Sequence, residues 1–249
     1  MKPKVCFRLL RIALHLAEGL LTCALLFPFC RGARRDALVA RWSRRLLGIC
    51  GVSVRQHGAA LAHALLAANH VSWLDIFVVN TLAPAHFVAK AEIRAWPGLG
   101  WLAAKAGTVF IARGNRRDLR HTFKGIVEQL QGGQRVAFFP EGTTAAQGGL
   151  LPFHANLFEA AIDAAVPLQP LALAYLDANG ALHPAVDFTG DATFASSMLA
   201  ILAGPPVHAR VTWLAPLEGA GAHRRDLSAA AYSAIGAALA DGQPEAAPV

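Results

Sequence analysis

From about residue 60 onward, short apolar runs alternate with longer stretches in which apolar residues recur at steps of three and four. The short runs predict strands over 61–67, 86–89, 108–112, 135–139, 168–175 and 209–214. The longer stretches predict helices over 74–82, 93–104, 116–131, 157–165, 194–202 and 224–239. Strands alternating with helices predict a single α/β domain around a mixed, largely parallel sheet flanked by helices, with its ligand site at the carboxyl ends of the strands. No internal repeat is present, and the Ala/Gly/Pro-rich tail over 241–249 reads as flexible. The expected organisation is an N-terminal helical segment over 1–55, an α/β domain over 56–240, and that tail.

The first 50 residues follow a different pattern. Residues 12–30 are apolar apart from His15, Glu18 and Thr22, with Pro28 near the end. No small-residue cleavage site follows, and the run continues into Arg31, Arg34 and Arg35, unlike a signal peptide. A spanning helix needs about 20 apolar residues, which leaves a marginal transmembrane helix or an interfacial one. In the next stretch Leu38, Val39, Trp42, Leu46 and Ile49 share a helical face, with the arginines largely off it. That composition suits a helix lying in a membrane interface with Trp42 at headgroup level, the alternative being an ordinary helix packed on the domain with a basic face in solvent, and residues 1–50 are expected to form a two-helix membrane-docking element.

Charge sharpens the picture. The 249-residue chain carries only 16% charged residues at 55% hydrophobic, against about 25% charged in ordinary soluble domains. Residues 1–60 hold 11 Lys+Arg and 2 acidic residues, a balance of +9, while the remaining residues hold 12 and 14, a balance of −2. A basic, apolar end points to an anionic membrane surface. Nucleic acid is not the expected partner, because basic residues interleaved with exposed aromatics are missing. Cys6, Cys23, Cys30 and Cys50 form no CxxC pair and have no His cluster at ligand spacing, so neither zinc nor a disulfide framework is implied and the reducing, cytoplasmic side is expected.

Four segments carry chemistry. In Asn69-His70-Val71-Ser72-Trp73-Leu74-Asp75, positions five apart on one helix diverge by about 140°, so His70 and Asp75 meet only if His70 sits in a loop and Asp75 on the first turn of the next helix, with Ser72 as cap. Asp75 can then fix the imidazole tautomer and leave the other nitrogen as general base; otherwise the two side chains never touch. No G-x-S-x-G elbow exists, so a dyad acting directly on a hydroxyl or on water fits better than a covalent triad. The run Gly107 to Gly114 ends a strand on Arg113, placed for a bidentate hold on phosphate or for pairing with a carboxylate, and Lys105, Arg116 and Arg117 could enlarge a positive basin. In Phe138-Phe139-Pro140-Glu141-Gly142-Thr143-Thr144, Glu141 projects at a strand end and can hold a polyol hydroxyl, or is satisfied by a salt bridge in a tight turn. Thr143 and the amides near Gly142 can donate to phosphate or to an oxyanion. The fourth segment, 166–171, reads as a buried wall bracketed by Pro167 and Pro170.

In this order and spacing the four segments resemble the glycerolipid acyltransferase family that includes 1-acylglycerol-3-phosphate acyltransferases: H-x4-D at His70 to Asp75, G-x-x-F-I-x-R at Gly107 to Arg113, F-P-E-G-T at Phe139 to Thr143, and a proline-flanked apolar block at 166–170. The resemblance covers roughly residues 60–215 and implies a glycerol-3-phosphate acyltransferase-like fold. It implies His70 as general base oriented by Asp75, Arg113 on the acceptor's phosphate, and Glu141, Gly142 and Thr143 shaping the acceptor site; Thr144 and Lys105 are expected beside them as further substrate contacts. The implied donor is acyl-CoA or acyl carrier protein, and the implied acceptor is a lysophospholipid, first 1-acylglycerol-3-phosphate giving phosphatidate, at the cytoplasmic face of a membrane. No cofactor or metal is required.

One departure bears on the acceptor. Phosphatidate-forming members usually carry Arg directly after E-G-T, and this chain has Thr144, which removes a charge-assisted contact of about 1.5–3 kcal/mol. The F-P-E-G-T-T block followed by Leu151-Pro152-Phe153-His154 is similar to the branch that acylates lyso-ornithine lipid and other lysolipids. A lipid esterase using the same dyad on water, and a membrane-binding module without catalysis, are the readings from other classes.

Overall fold

The computed structural model describes residues 3–112 and 116–241. Arg113, expected on phosphate, and all but the first residue of the expected flexible tail lie outside the described residues. The strands are β1 (Val52–His57), β2 (Leu65–Ala68), β3 (His86–Lys90), β4 (Val109–Ile111), β5 (Val136–Phe138), β6 (Leu168–Leu176) and β7 (Val207–Trp213). The helices are α1 (Pro3–Leu25), α2 (Ala33–Cys50), α3 (Asp75–Leu82), α4 (Leu99–Lys105), α5 (Arg116–Gln131), α6 (Glu159–Asp163), α7 (Phe194–Ala203) and α8 (Arg224–Ala240).

All seven strands form one sheet in the order β1-β7-β6-β2-β5-β3-β4. Every neighbouring pair is parallel except β6 with β7, which run antiparallel, so the sheet is mixed and largely parallel as expected. Side chains alternate across it with the two-residue period of a strand. Leu66, Ala68, Ala137, Leu171 and Leu173 face a core layer with Leu46, Leu47, Val78, Val79 and Ile201 from α2, α3 and α7. Leu65, Ala67, Val136, Phe138 and Leu168 face the opposite layer, with Ile126 and Leu130 of α5, Ala160 and Ala161 of α6, and Leu227 and Ala231 of α8. Burial on both faces is why the central strands read as unbroken apolar runs.

Three elements depart from the sequence pattern. β1 was not expected, and the anticipated boundary at residue 55 falls inside it. Its sequence, Val-Ser-Val-Arg-Gln-His, is polar because it is an edge strand whose one sheet neighbour is β7. The helix expected over 93–104 is two pieces, a 3-10 turn at Ala91–Ala95 and α4, separated by Trp96-Pro97-Gly98. Pro97 has no amide hydrogen to extend the first piece, and Gly98 takes φ 69° at the break. The helix expected over 157–165 likewise divides into a 3-10 turn at Ala155–Phe158 and α6.

The N-terminal helices belong to the domain. Val5 and Ile12 of α1 and Leu46, Leu47, Ile49 and Cys50 of α2 join the core layer that includes α3 and α7. The apolar face of α2 therefore points inward. Trp42, expected at headgroup level, stacks on His15 with ring centroids 4.5 Å apart and donates from its indole to the His15 carbonyl at 3.1 Å. The other face of α1 stays open: Phe7, Leu10, Leu14, Leu21 and Leu25 step along it by three, four or seven, and all are exposed. The stripe runs on through Leu26 to Phe29, which is 85% exposed. No helix among the described residues is long and apolar enough to cross a membrane.

Candidate active site

β2 and β5 lie side by side and parallel, so the segments that leave their carboxyl ends emerge together. Directly after β2, Asn69 is buried and pairs with β6 through its side chain, donating to the Leu173 carbonyl at 2.9 Å and accepting from the Leu173 amide at 2.7 Å. A side chain thus does the work of the next backbone pair, and the main chain is free to turn off the sheet at His70.

The turn ends at Asp75, the first residue of α3, whose side chain is fully buried. Its Oδ2 accepts from His70 Nδ1 at 2.8 Å, from the Val71 amide at 2.7 Å and from the Ser72 amide at 3.0 Å. Its Oδ1 accepts from the Tyr175 hydroxyl at 2.5 Å. Placement on the first turn also sets the carboxylate against the positive end of α3. Ser72 is not the cap the sequence suggested: its Oγ reaches the Leu74 amide only at 3.4 Å, and Asp75 gathers the free amides itself. Since an acceptor oxygen faces Nδ1, the neutral imidazole is assigned its hydrogen on Nδ1 and its lone pair on Nε2. The imidazole lies flat on Phe139, centroids 3.9 Å apart and planes 8° apart, with 19% of the side chain exposed. His70 and Asp75 therefore meet as the loop-and-helix geometry required.

Glu141 is placed differently from the expectation. It is buried, with Oε1 accepting from the His70 amide at 2.7 Å and Oε2 from the Leu151 amide at 2.8 Å. Both oxygens turn inward to backbone and tie the segments after β2 and β5 to the loop at 149–151. Burial pushes its carboxyl above the usual range, and the two amides pull partly the other way. Gly142 takes φ 69° and donates its amide to the Phe139 carbonyl at 3.0 Å, closing the turn, so this amide is spent within the protein. Thr143 is exposed at the tip. Thr144 is half-buried and its hydroxyl donates to the Phe188 carbonyl. The Ala145 amide donates to the His70 carbonyl at 2.8 Å and the Phe188 amide to the Val71 carbonyl at 3.2 Å, interlacing three segments around His70.

Lys105 is not brought to the dyad. Its ammonium stands 5.6 Å from the Trp101 ring centroid, and its carbonyl accepts from Arg35. Sequence reasoning passed over Asn69 and Tyr175 as site residues. The signal for Tyr175 was a hydroxyl in Leu-Gln-Pro-Leu-Ala-Leu-Ala-Tyr-Leu, a strand with one other polar side chain.

The family model described as Acyltransferase matches residues 52–174. The chain is 39% identical to the lyso-ornithine lipid O-acyltransferase of Pseudomonas aeruginosa over 206 residues, 82% of this chain and 79% of that one. It is 44% identical to the 1-acyl-sn-glycerol-3-phosphate acyltransferase of Neisseria meningitidis over 149 residues, 59% of this chain and 58% of that one. The crystal structure of the 1-acyl-sn-glycerophosphate (LPA) acyltransferase PlsC from Thermotoga maritima superposes with a TM-score of 0.66 at 18% identity, covering 96% of this chain and 99% of that one, a likeness of fold. With the motif order, the sheet and the identity to curated relatives in agreement, the chain belongs to the acyltransferase family.

Proposed function

We propose that this enzyme moves a fatty acyl group from a thioester donor, acyl-CoA or acyl carrier protein, to the free hydroxyl of a lysolipid in phospholipid biosynthesis. The observation that carries the reading is the 2.8 Å contact of His70 Nδ1 with buried Asp75, which leaves Nε2 as the base. Nε2 takes the hydroxyl proton as the oxygen attacks the thioester carbon. The tetrahedral intermediate then collapses with cleavage of the carbon–sulfur bond, and the imidazolium returns the proton to the departing thiolate. No acyl-enzyme forms. Thr143, exposed beside the dyad's loop, is the donor we assign to the substrate end, and Arg113 the contact for an acceptor phosphate.

Glu141 acts as a strap that holds the His70 loop, in place of the polyol contact that the sequence suggested. The first acceptor is 1-acylglycerol-3-phosphate, in keeping with the Neisseria relative's name. Thr144 favours a second, lyso-ornithine lipid, because its hydroxyl is engaged by Phe188 where phosphatidate-forming members of the family usually carry an arginine. That reading also accords with the name of the Pseudomonas relative.

The exposed stripe of α1, next to a basic N-terminal segment, rests on an anionic membrane surface, where apolar burial and phosphate attraction act together. A cytoplasmic leaflet suits four unpaired cysteines.

Three outcomes are expected. In transfer assays with labelled acyl-CoA and acyl carrier protein, one of the two lysolipids accepts acyl groups, His70→Ala abolishes transfer with the fold intact by circular dichroism, and release of free fatty acid without acceptor would instead identify an esterase. Glu141→Gln puts an NH2 group opposite a backbone amide and lowers stability by about 1–3 kcal/mol in denaturant titration; an unchanged midpoint with impaired acceptor binding would return Glu141 to the substrate. Leu14→Glu combined with Leu21→Glu weakens sedimentation with anionic vesicles by at least about tenfold while leaving the melting temperature unchanged.

A further inference from the structure

Around the dyad the described residues place more machinery than the family motifs name. β6 is buried along almost its whole length and apolar apart from Gln169 and Tyr175. Gln169 is accounted for by the loop at 59–61, since its amide donates to the Ala59 carbonyl at 2.9 Å and its carbonyl accepts from the Leu61 amide at 2.8 Å. Tyr175 is fully buried, and phenylalanine would fill the same volume without a polar group to satisfy. Its hydroxyl is aimed at Asp75 Oδ1, the oxygen that His70 does not use. Tyr175 also stands one residue beyond the segment matched by the family model.

We propose that Tyr175 is a positioning residue for acyl transfer: its hydroxyl fixes the Asp75 carboxylate so that Oδ2 faces His70 Nδ1, and it tempers the negative charge presented to the imidazole. The proposal rests on the reading of His70 as base.

The geometry supports both parts. The carboxylate is gripped at Oδ2 by two backbone amides and the imidazole, and at Oδ1 by the phenol, so rotation about the side chain breaks a bond at each end. The strand end is itself fixed, because the Tyr175 amide donates to Gln147 Oε1 at 2.7 Å and Gln147 Nε2 donates to the His183 carbonyl at 3.1 Å. The phenol remains a donor throughout, since burial, and next the Asp75 charge, push its ionisation well above the ordinary range. During the reaction the acceptor's proton goes to His70 Nε2 and the Tyr175 proton stays on its oxygen. Among the described residues, the titratable groups facing the dyad are Tyr175 from β6 and Glu141 from the segment after β5, the latter engaged at both oxygens by backbone amides. A hydrogen bond donated to Asp75 draws charge away from Oδ2 and so lowers the pull of the carboxylate on an imidazolium.

The sign of the pH effect follows. Without the phenol, Asp75 stabilises the protonated imidazole more strongly, and the acidic limb of the rate profile moves to higher pH. The test measures kcat, KM for lysolipid and the pH profile in Tyr175→Phe, in Asp75→Asn, in the double variant, in His70→Ala, and in a protein carrying 3-fluorotyrosine at 175, whose stronger donor keeps the shape of the native side chain. Tyr175→Phe is expected to lower kcat roughly tenfold with KM nearly unchanged and to move the acidic limb of the profile. The fluorinated protein shifts the limb the other way, and Tyr175→Phe adds no further loss on top of Asp75→Asn. Wild-type kcat and limb in Tyr175→Phe, or losses that multiply in the double variant, overturn the proposal while His70→Ala is inactive. If Tyr175→Phe does not fold, the fluorinated protein decides alone, an unmoved limb counting against the proposal. Full activity in His70→Ala would overturn the underlying reading instead.

Discussion

A carboxylate taken out of water must be matched donor for donor, and this molecule is arranged around one such group. Asp75 has no solvent to turn to, and an uncompensated charge at its position costs about 3–5 kcal/mol. The remedy is local on one oxygen, where the amides of Val71 and Ser72 and the imidazole of His70 converge, and distant on the other, where Tyr175 arrives from 100 residues away in sequence. The requirement that satisfies the carboxylate also orients the histidine. Stability and chemistry are thus served by the same bonds, and the central strands β2, β5 and β6 exist in the register that lets those bonds close.

The N-terminal helices show how one composition serves two solvents. α1 offers Val5, Ile12 and Cys23 to the protein and Phe7, Leu14 and Leu21 to the outside, so apolar side chains stand on both sides of the helix. α2 packs against α1, with Trp42 and His15 stacked between the two helices. The helix that carries this exposed apolar stripe belongs to the core layer that also holds α3.

The sequence made the inner strands legible because burial on both faces removes alternation and leaves bare apolar runs. It hid β1, whose arginine, glutamine and histidine suit an edge, and it joined 93–104 into one helix because the step of three and four continues through a Pro-Gly break. The dyad could be read from the spacing of His70 and Asp75 together with the need for a turn between them. The strap role of Glu141 could not, since its partners are backbone amides 71 and 10 residues away, invisible to a pattern of side chains. The inward face of α2 was equally opaque, because leucine, isoleucine and tryptophan have the same periodicity whether they meet lipid or another helix.

Asp75 holds the neutral His70 ring with its hydrogen on Nδ1 and a bare Nε2. Nitrogen-15 spectra of protein labelled at histidine, with His70 identified by its disappearance in His70→Gln, report this directly. In the neutral imidazole, His70 is expected to show a protonated Nδ1 and an unprotonated Nε2. A hydrogen on Nε2 and a bare Nδ1 would contradict it.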